Sequence, residues 1–296
     1  MASIKDIKKR IGSVKNTQQT TRAMKMVSAA KLRRAQEAIQ SQRPYAQRVR
    51  DLISELLSDA DADQQHFMRK VSSQFDGPKR VLVLVVTSDR GLCGGFNSSV
   101  IKACQRWIHA EKDSGYSSEF VFVGRRGHDF FKHRSIQIAG YYPDLGGKVT
   151  FAKAKKLADV LVERFLKGDV DEVKIIYNEF KNAAMQRVLT ENFLPLEASS
   201  PKVEKAGEAS LDFIVKPSRV EVLRELLSKN FAIQMFRVLL ESQAGEHGAR
   251  MSAMENATKN AGEMIRKLTL QYNKQRQAGI TKELLEIISG SESQKA

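Results

Sequence analysis

Two long segments at opposite ends of the chain carry apolar or small residues at alternating spacings of three and four. The first runs between residues 4 and 57, and the second from Ser218 to about Ser289. This spacing forms the seam of a coiled coil, in which each helix needs a second helix to cover its apolar stripe. The two helices would be about 80 and about 100 Å long, more than a globular domain of this size can bury. The sequence therefore predicts one antiparallel pair made from the two chain ends.

The first seam also contains polar positions. Its apolar members are Ile4, Ile7, Ile11, Val14, Leu32, Ala35, Ile39, Ala46, Val49, Ile53 and Leu56. Four positions between them carry residues that pack less well than Leu or Ile, namely Gln18, Thr21, Lys25 and Ser28. We expect this stretch to serve a purpose other than stability. Pro44 lacks a backbone donor and clashes with the preceding turn, so it is predicted to kink this helix or to end its first part.

The second seam is uninterrupted by proline. It consists of Leu223, Leu226, Ile233, Leu240, Met251, Met254, Ala261, Ile265, Leu268 and Tyr272. Ser218 is a suitable N-cap after Pro217, and Gly290 is a suitable stop. We therefore assign residues 1–58 to an N-terminal coiled-coil helix, 217–290 to a C-terminal one, and 291–296 to a polar tail.

Between these helices, short runs rich in β-branched residues alternate with helical stretches. Strands are predicted at 81–87, 120–123 and 173–177, and helices at 97–111 and 151–167. A further strand at 187–196 is expected to be antiparallel, 199–210 is expected to be a loop, and 211–215 an edge strand. The predicted fold is thus α/β, with a Rossmann-like domain and a mostly parallel sheet at 79–216, after a linker at 59–78.

The first fifty residues contain most of the net charge. They hold thirteen basic and two acidic side chains, which is +11 of the chain's +15. Such a field indicates an acidic partner, either nucleic acid or an acidic protein surface. Runs such as Lys31 to Arg34 are not interleaved with aromatic residues and match no nucleic-acid reader motif. The coiled-coil geometry favours a protein partner, and a basic protein that packages nucleic acid remains the alternative.

A glycine-rich loop at 88–97 follows the first predicted strand, where open α/β sheets bind ligands. It lacks both the G-x-G-x-x-G spacing and the lysine of a P-loop, so a tight turn is the better interpretation. Asp89 and Arg90 are then local turn residues or a surface contact rather than catalysts. A dehydrogenase that binds nicotinamide at this loop is the enzyme alternative.

Other catalytic or metal-binding patterns are not evident. The five histidines are scattered, with no carboxylates or cysteines at ligand or triad spacing, so no catalytic residue, metal or cofactor is predicted. Cys93 and Cys104 do not form a disulfide framework, which favours a reducing compartment. The sequence contains no uncharged apolar stretch of about 20 residues, so we expect a protein that is either cytosolic or bound to a membrane through partners.

Three motifs together resemble one family, the gamma subunits of rotary F-type ATP synthases. Near the N-terminus they are IGSVKNTQQTTRAMKMV at 11–27 and KLRRA at 31–35, and in the middle TSDRGLCGGFN at 87–97. Near the C-terminus they are ESQA at 241–244, ARM at 249–251, NATKNA at 256–261 and RQAGITKEL at 276–284. The resemblance covers essentially the whole chain, in the order that this family shows.

The resemblance implies a central rotor shaft without bond chemistry of its own. The coiled coil would rotate inside the hexamer of alpha and beta subunits and couple proton or sodium flow to ATP synthesis or hydrolysis. The α/β domain would sit on the membrane c-ring beside the delta/epsilon subunits, with no nucleic acid as partner. This places the chain peripherally on the cytoplasmic face of a bacterial plasma (inner) membrane.

The same resemblance implies contact residues. Met24 and Lys25 would face an acidic loop of the beta subunit, with Glu246 and Arg250 in the same zone. An upper contact with the beta subunits would consist of Arg276, Gln277 and Thr281. A rotor needs a stiff seam but a bearing surface that slides, and we expect that surface to contain Gln18, Thr21, Met24, Met26 and Ser28.

Overall fold

The computed structural model describes residues 3–58, 79–112, 115–145, 149–182, 185–195 and 219–293. The chain divides into two compact units, each of which contains part of both end helices. The sheet unit is Ala29–Ala249, and the helical unit is Met1–Ser28 together with Arg250–Ala296. The predicted linker at 59–78, the N-cap Ser218, the loop at 199–210 and the edge strand at 211–215 lie outside the described residues.

The described residues form ten elements. In chain order they are α1 (Ile4–Ser58), β1 (Arg80–Val86), α2 (Phe96–Lys112), β2 (Ser117–Val123), α3 (Arg125–Phe131), β3 (Gln137–Tyr142), α4 (Phe151–Leu166), β4 (Glu172–Phe180), β5 (Gln186–Leu194) and α5 (Arg219–Ser293). The strands form one sheet in the order β3-β2-β1-β4-β5. All neighbouring pairs are parallel except β4 and β5, which are antiparallel. The predicted α/β fold with a mostly parallel sheet is confirmed.

The central strand β1 shows why the sheet is covered on both faces. Its side chains alternate in direction, so Val81, Val83 and Val85 join one core cluster and Leu82 and Leu84 join the other. The first cluster includes residues of α2 and α3, and the second includes residues of α4, α5 and α1. A continuous apolar strand of this kind is typical of a parallel sheet between two helical layers.

Two elements, α3 and β3, were missing from the sequence prediction. Helix α3 has only seven residues, RRGHDFF, with a buried Gly127 that lowers helix propensity. Strand β3 has six, QIAGYY, and lies at the edge of the sheet, where its faces are only partly buried. Such short, weakly patterned elements are stabilised by their tertiary neighbours more than by local preference.

Helix α1 confirms most of the predicted seam and corrects the role of proline. Ile7, Leu32 and Ala35 are buried at 3, 6 and 3% exposure. Pro44, however, lies inside an α-helix that continues to Ser58, so the prediction that it ends the first part is wrong. Proline has no backbone N–H, so Pro44 cannot donate a hydrogen bond to the carbonyl of Gln40. Both residues are exposed, so water can satisfy that carbonyl.

Helix α5 also differs from its prediction. It runs through Gly290 to Ser293, so the glycine does not end it and part of the expected polar tail is helical. Within the sheet unit, no residue from 230 to 248 is exposed, and most are buried, so this stretch is not buried along one stripe alone. A helix covered on all sides needs apolar or small residues around its whole circumference, and NFAIQMFRVLLESQAGEHG largely provides them.

Within the helical unit the two chain ends pair in antiparallel fashion. The Gln18 side-chain amide donates to the carbonyl of Thr258 at 3.3 Å. Towards the N-terminus of α1, a Cβ on Gly279 would lie 3.8 Å from Ile4. Low numbers on α1 therefore match high numbers on α5.

Gly124, between β2 and α3, is expected to tolerate no side chain. Its φ is +87°, and a Cβ there would overlap the carbonyl oxygen of Thr87. Gly124→Ala should therefore lower the free energy of unfolding by about 3–5 kcal/mol, from backbone strain plus steric overlap. Urea denaturation followed by circular dichroism measures this change.

Gly115→Ala is the matched control for Gly124→Ala. Gly115 also has a positive φ of +68°, but a Cβ on it would meet nothing within 4 Å. It should show the strain alone, about 1–2 kcal/mol. Equal losses in the two variants would mean that the contact with Thr87 does not matter.

Candidate partner-binding surface of the helix pair

The positive charge of α1 lies on solvent-exposed positions. Of the thirteen basic side chains between residues 5 and 50, twelve are exposed and Lys25 is half-buried. Exposed like charges along one helix create a positive potential that attracts an acidic surface. The exposed basic residues of α1 are therefore suited to contact an acidic partner.

The polar seam positions form a layer of contacts between α1 and α5 inside the helical unit. The hydroxyl oxygens of Thr21 and Thr258 lie 2.8 Å apart. Next to them, Gln18 donates to the Thr258 carbonyl, and Lys25 Nζ lies 2.7 Å from Glu255 Oε1. Polar groups at seam positions specify which residues of two helices face each other. These contacts fix the register of the pair at this level.

This layer corrects the prediction of the bearing surface. Thr21 and Ser28 are buried at 9 and 3% exposure, so they lie in the interior of the pair and cannot slide against a partner. Residues at seam positions face the other helix. The apolar residues that are exposed in this stretch are instead Met26 and Val27, with 61 and 56% of their surface exposed. Met24 is half-buried.

The C-terminal end of α5 is exposed on every side. All described side chains from 281 to 291 are exposed, and so are Arg276 and Gln277; Thr281 belongs to this stretch. Five large apolar side chains here are between 49 and 67% exposed, and we call them the apolar end of α5: Ile280, Leu284, Leu285, Ile287 and Ile288. Exposed apolar side chains grouped on one segment mark an interaction surface. This surface was not predicted from the sequence, although the run LLEII close to the polar tail is a local signal for it.

The remaining predicted contact residues are buried. Glu246 lies in the sheet unit at 7% exposure, and Arg250 in the helical unit at 8%. Both take part in interactions within the chain. By contrast, Met24 with Lys25, and Arg276 with Gln277 and Thr281, form two local groups on their own helices. The contact of all seven residues with a partner stays a prediction.

In the sheet unit, a cluster of charged side chains ties α5 to the sheet. Arg237 Nη2 on α5 donates to Glu191 on β5 at 2.7 Å, and the Tyr177 hydroxyl on β4 donates to the same carboxylate at 2.9 Å. Glu241, one turn after Arg237, lies 3.6 Å from the Arg237 Nη1 atom. Burial raises the pKa of Tyr177, which keeps its hydroxyl protonated.

The same cluster perturbs Glu241. Burial raises the pKa of its carboxyl group, with Arg237 opposing and the negative charges of Glu179 and Glu191 reinforcing the shift. Its Oε2 atom is buried and has no hydrogen-bond partner among the residues that the structure describes. Two carboxylates share one guanidinium here, so the cluster carries an excess of negative charge.

The crevice where Rossmann-like sheets hold nucleotides is occupied by α5. The strands β2 and β3 are added on one side of β1, and β4 and β5 on the other, so the strand order switches between β1 and β4. Sheets of this kind bind ligands at the carboxyl ends of the strands at such a switch. Gly245 of α5 lies there, since a Cβ on it would be 3.3 Å from Phe96, 3.4 Å from Gln186 and 3.8 Å from Asn178. The close approach of this helix backbone fills the space that a nucleotide would need.

The loop at 88–97 is held by its own side chains. Asn97 accepts the backbone N–H of Ser88 at 2.9 Å and donates to the Ser88 hydroxyl at 2.8 Å. Asp89 accepts the backbone N–H of Arg125 at 3.0 Å, so its carboxylate ties this loop to the first turn of α3. Cys93 is a buried free cysteine beside Asn97. Ser88, Asn97 and Asp89 thus use their polar groups for hydrogen bonds within the chain.

Two further kinds of site are absent from the residues that the structure describes. In that part of the chain no three His, Cys, Asp or Glu side chains are grouped so that they could hold a metal ion. No helix there combines the length and apolarity needed to cross a bilayer.

An α/β sheet inserted between two chain-end helices, which pair and present basic and apolar surface, defines a class of helical assembly subunits. The sequence profile of the family described as ATP synthase matches residues 3–293. The ATP synthase gamma chain of Bdellovibrio bacteriovorus is 46% identical over 299 residues, and that of Anaeromyxobacter sp. (strain Fw109-5) is 47% identical over 298, each covering all of both chains. The chain belongs to the ATP synthase gamma chain family.

Solved structures show the same fold. A chain of the Euglena gracilis mitochondrial ATP synthase, solved as OSCP/F1/c-ring, is 21% identical with a TM-score of 0.66, covering 98% of this chain and 94% of that one. A chain of the Tetrahymena thermophila mitochondrial central stalk/c-ring is 24% identical with a TM-score of 0.57, covering 80% and 99%. At these identities the likeness concerns the fold.

Gly245→Ala tests the close approach of α5 to the sheet. Alanine in place of an exposed helical glycine stabilises a helix by up to about 1 kcal/mol, which is the result expected for Gly290→Ala. At Gly245 the added methyl group meets Phe96 and Gln186, so we expect no gain, and a loss of about 1–3 kcal/mol for Gly245→Leu. Thermal unfolding of the variants measures both. Equal gains for the two alanine variants would show that the crevice is open.

Glu241→Gln tests the charged cluster through its pH dependence. Because the folded-state pKa of Glu241 is raised, stability falls as pH rises from its ordinary value through the folded value. Glutamine removes this loss, so the variant should be more stable than the parent at pH 8 and equally stable at pH 4. Urea titrations at the two pH values measure the difference.

Glu225→Gln is the control with the opposite sign. A hydrogen bond from Lys229 lowers the pKa of Glu225, so this variant should lose stability at pH 8 rather than gain it. A gain for Glu225→Gln, or a loss for Glu241→Gln at pH 8, would contradict the assigned electrostatics.

Proposed function

We propose that this chain is the central rotor shaft of an F-type ATP synthase. The α1–α5 pair turns inside a hexamer of alternating alpha and beta subunits and couples ion flow across the membrane to ATP synthesis or hydrolysis. The single observation that carries this function is the exposed end of α5, where a helix of 75 residues presents bare apolar side chains. The proposal is supported by full-length relatives named ATP synthase gamma chain and by neighbours from a rotor, a central stalk and a c-ring.

The shaft supplies torque transfer rather than bond chemistry. Seam residues such as Ile7, Leu32 and Ile39 are buried, and packed interiors resist deformation. The apolar end of α5 makes non-directional contacts, which allow sliding because they have no preferred hydrogen-bonding angle. Exposed ion pairs of about 0–1 kcal/mol each can orient the shaft without immobilising it. Stiffness thus comes from the interior of the pair, and sliding from its surface.

The contact residues divide into two zones. Met24 and Lys25, with the less exposed Glu246 and Arg250, meet an acidic loop of the beta subunit. Arg276, Gln277 and Thr281 form the upper contact, which is supported by their exposure next to the apolar end of α5.

The other partners follow from the same assignment. The α/β domain contacts the membrane c-ring and the delta/epsilon subunits. The chain therefore belongs to the membrane-associated F1 complex, and we place it on the cytoplasmic face of a bacterial plasma membrane. It reaches that membrane through its partners and binds no nucleic acid.

Reconstitution tests this function directly. Purified alpha and beta subunits are mixed with and without the chain, and ATP hydrolysis is followed with a coupled assay. We expect the chain to co-purify with the hexamer and to raise cooperative hydrolysis by at least about tenfold, equivalent to about 1.4 kcal/mol of activation free energy. An equal rate with and without the chain would contradict the proposal.

The upper contact is tested by Arg276→Glu combined with Gln277→Glu. Both side chains are exposed, so the isolated chain should keep its unfolding free energy to within about 0.5 kcal/mol. Coupled ATP synthesis in reconstituted vesicles should fall by about tenfold, because the new charges meet the partner surface unfavourably. The matched control is Lys267→Glu with Thr269→Glu, which makes the same charge change at exposed positions of α5. Equal effects of the two double variants would show that Arg276 and Gln277 do not form the upper contact.

A further inference from the structure

Lys25 differs from the other basic side chains of α1 in the helical unit. Six are exposed: Lys5, Lys8, Lys9, Arg10, Lys15 and Arg22. Among the residues that the structure describes in this unit, Lys25 alone of the seven forms an ion pair with α5, at 2.7 Å to Glu255. The charge of Lys25 is therefore neutralised within the chain by Glu255, while the other six basic side chains remain available to attract a partner.

The position of this pair is fixed by its neighbours. Lys25 occupies a seam position four residues after Thr21, and Glu255 precedes Thr258 by three on α5. The Thr21–Thr258 contact of 2.8 Å brings these two helical turns together, and both turns then present their charges at the same level. The ion pair is consequently a product of the helix register rather than a chance meeting of two mobile side chains.

The exposure of the pair makes it exchangeable. The Lys25 side chain is 37% exposed and the Glu255 side chain 58%. Pairs of this exposure contribute about 0–1 kcal/mol, because water and salt screen the charges. A carboxylate from another molecule can therefore replace Glu255 at little cost, while Glu255 can take the ammonium group back when that carboxylate leaves.

We propose that Glu255 is an intramolecular competitor for Lys25. It holds the ammonium group between encounters and yields it to a carboxylate of an acidic partner surface, so that each contact of the turning shaft with that surface is shallow and readily released. This inference rests on the proposed rotor function. Glu255 thus weakens the contact of Lys25 with a partner, whereas the other proposed residues make such contacts.

The test uses the complete complex of alpha subunits, beta subunits and this chain. Glu255→Gln keeps the size and shape of the side chain but removes the competing charge, so Lys25 should hold the partner more strongly. We expect maximal ATP hydrolysis at about 20 mM salt to fall about threefold, within the free-energy range of one exposed ion pair. At about 0.5 M salt the difference should disappear, because the screening length is then only a few ångströms.

Glu263→Gln is the matched control, since it removes the same charge from an exposed position two turns further along α5. It should leave the rate within about 1.3-fold of the parent, a difference within the usual range of surface substitutions. A second control combines Lys25→Gln with Glu255→Gln. Without Lys25 there is no cation to release, so the double variant should behave as Lys25→Gln alone.

Two results would overturn the inference. One is a rate for Glu255→Gln equal to that for Glu263→Gln, and the other is an effect of Glu255→Gln that persists when Lys25 is glutamine. Failure of the rotor function has a different signature, because the unaltered chain would then neither join the hexamer nor raise its rate. Thermal unfolding of the isolated Lys25→Gln and Glu255→Gln variants separates these results from a structural effect. Each variant loses the same exposed ion pair, so both should show the same small change in stability.

Discussion

The pairing of the two chain ends is the constraint on which the rest of the structure depends. Both α1 and α5 carry a seam of apolar residues that is unfavourable in water, and each helix covers the seam of the other. The seam is maintained in both units. In the helical unit it includes the contact of Thr21 with Thr258, and in the sheet unit Gln42 donates to the Ile233 carbonyl at 3.0 Å. A chain with only one of these helices would expose a long apolar stripe.

The sheet domain shows how a nucleotide-binding architecture can serve as a structural support. Its strand order leaves a crevice at the carboxyl ends of β1 and β4, and α5 fills that crevice with the backbone around Gly245. The Arg237 cluster adds directional bonds between the same helix and two strands. Helix α5 is therefore fixed to the sheet both by close packing and by charge, as a helix that transmits force requires.

The sequence predicted those features that arise from long, regular patterns. The seam spacing identified both end helices, and the apolar run at 81–87 identified the central strand, because periodicity and burial are directly related. Features that depend on tertiary neighbours were less accessible. The exposure of Pro44 allowed α1 to continue, and the short elements α3 and β3 are stabilised by packing that no local pattern encodes.

The candidate contact surface was predicted in a similar, partial way. The exposed basic residues of α1 followed from charge counting. Thr21 was placed at the seam by its spacing and yet assigned to the sliding surface, and its burial shows that the seam position decides. The pair of Lys25 and Glu255 joins residues 230 positions apart, so no local signal could have indicated it. The apolar end of α5 had a clear local signal in LLEII, but these residues fell within the predicted coiled-coil helix at 217–290 and were not recognised as a separate surface.

The most direct test of the helix pairing is disulfide trapping with Thr21→Cys and Thr258→Cys in one chain. Because the two hydroxyl oxygens lie 2.8 Å apart, mild oxidation should give a rapid crosslink within the monomer. Thr21→Cys combined with Thr269→Cys, three turns away on α5, should crosslink far more slowly. Equal rates for the two pairs, or crosslinks that form mainly between different chains, would contradict the antiparallel pairing of the chain ends.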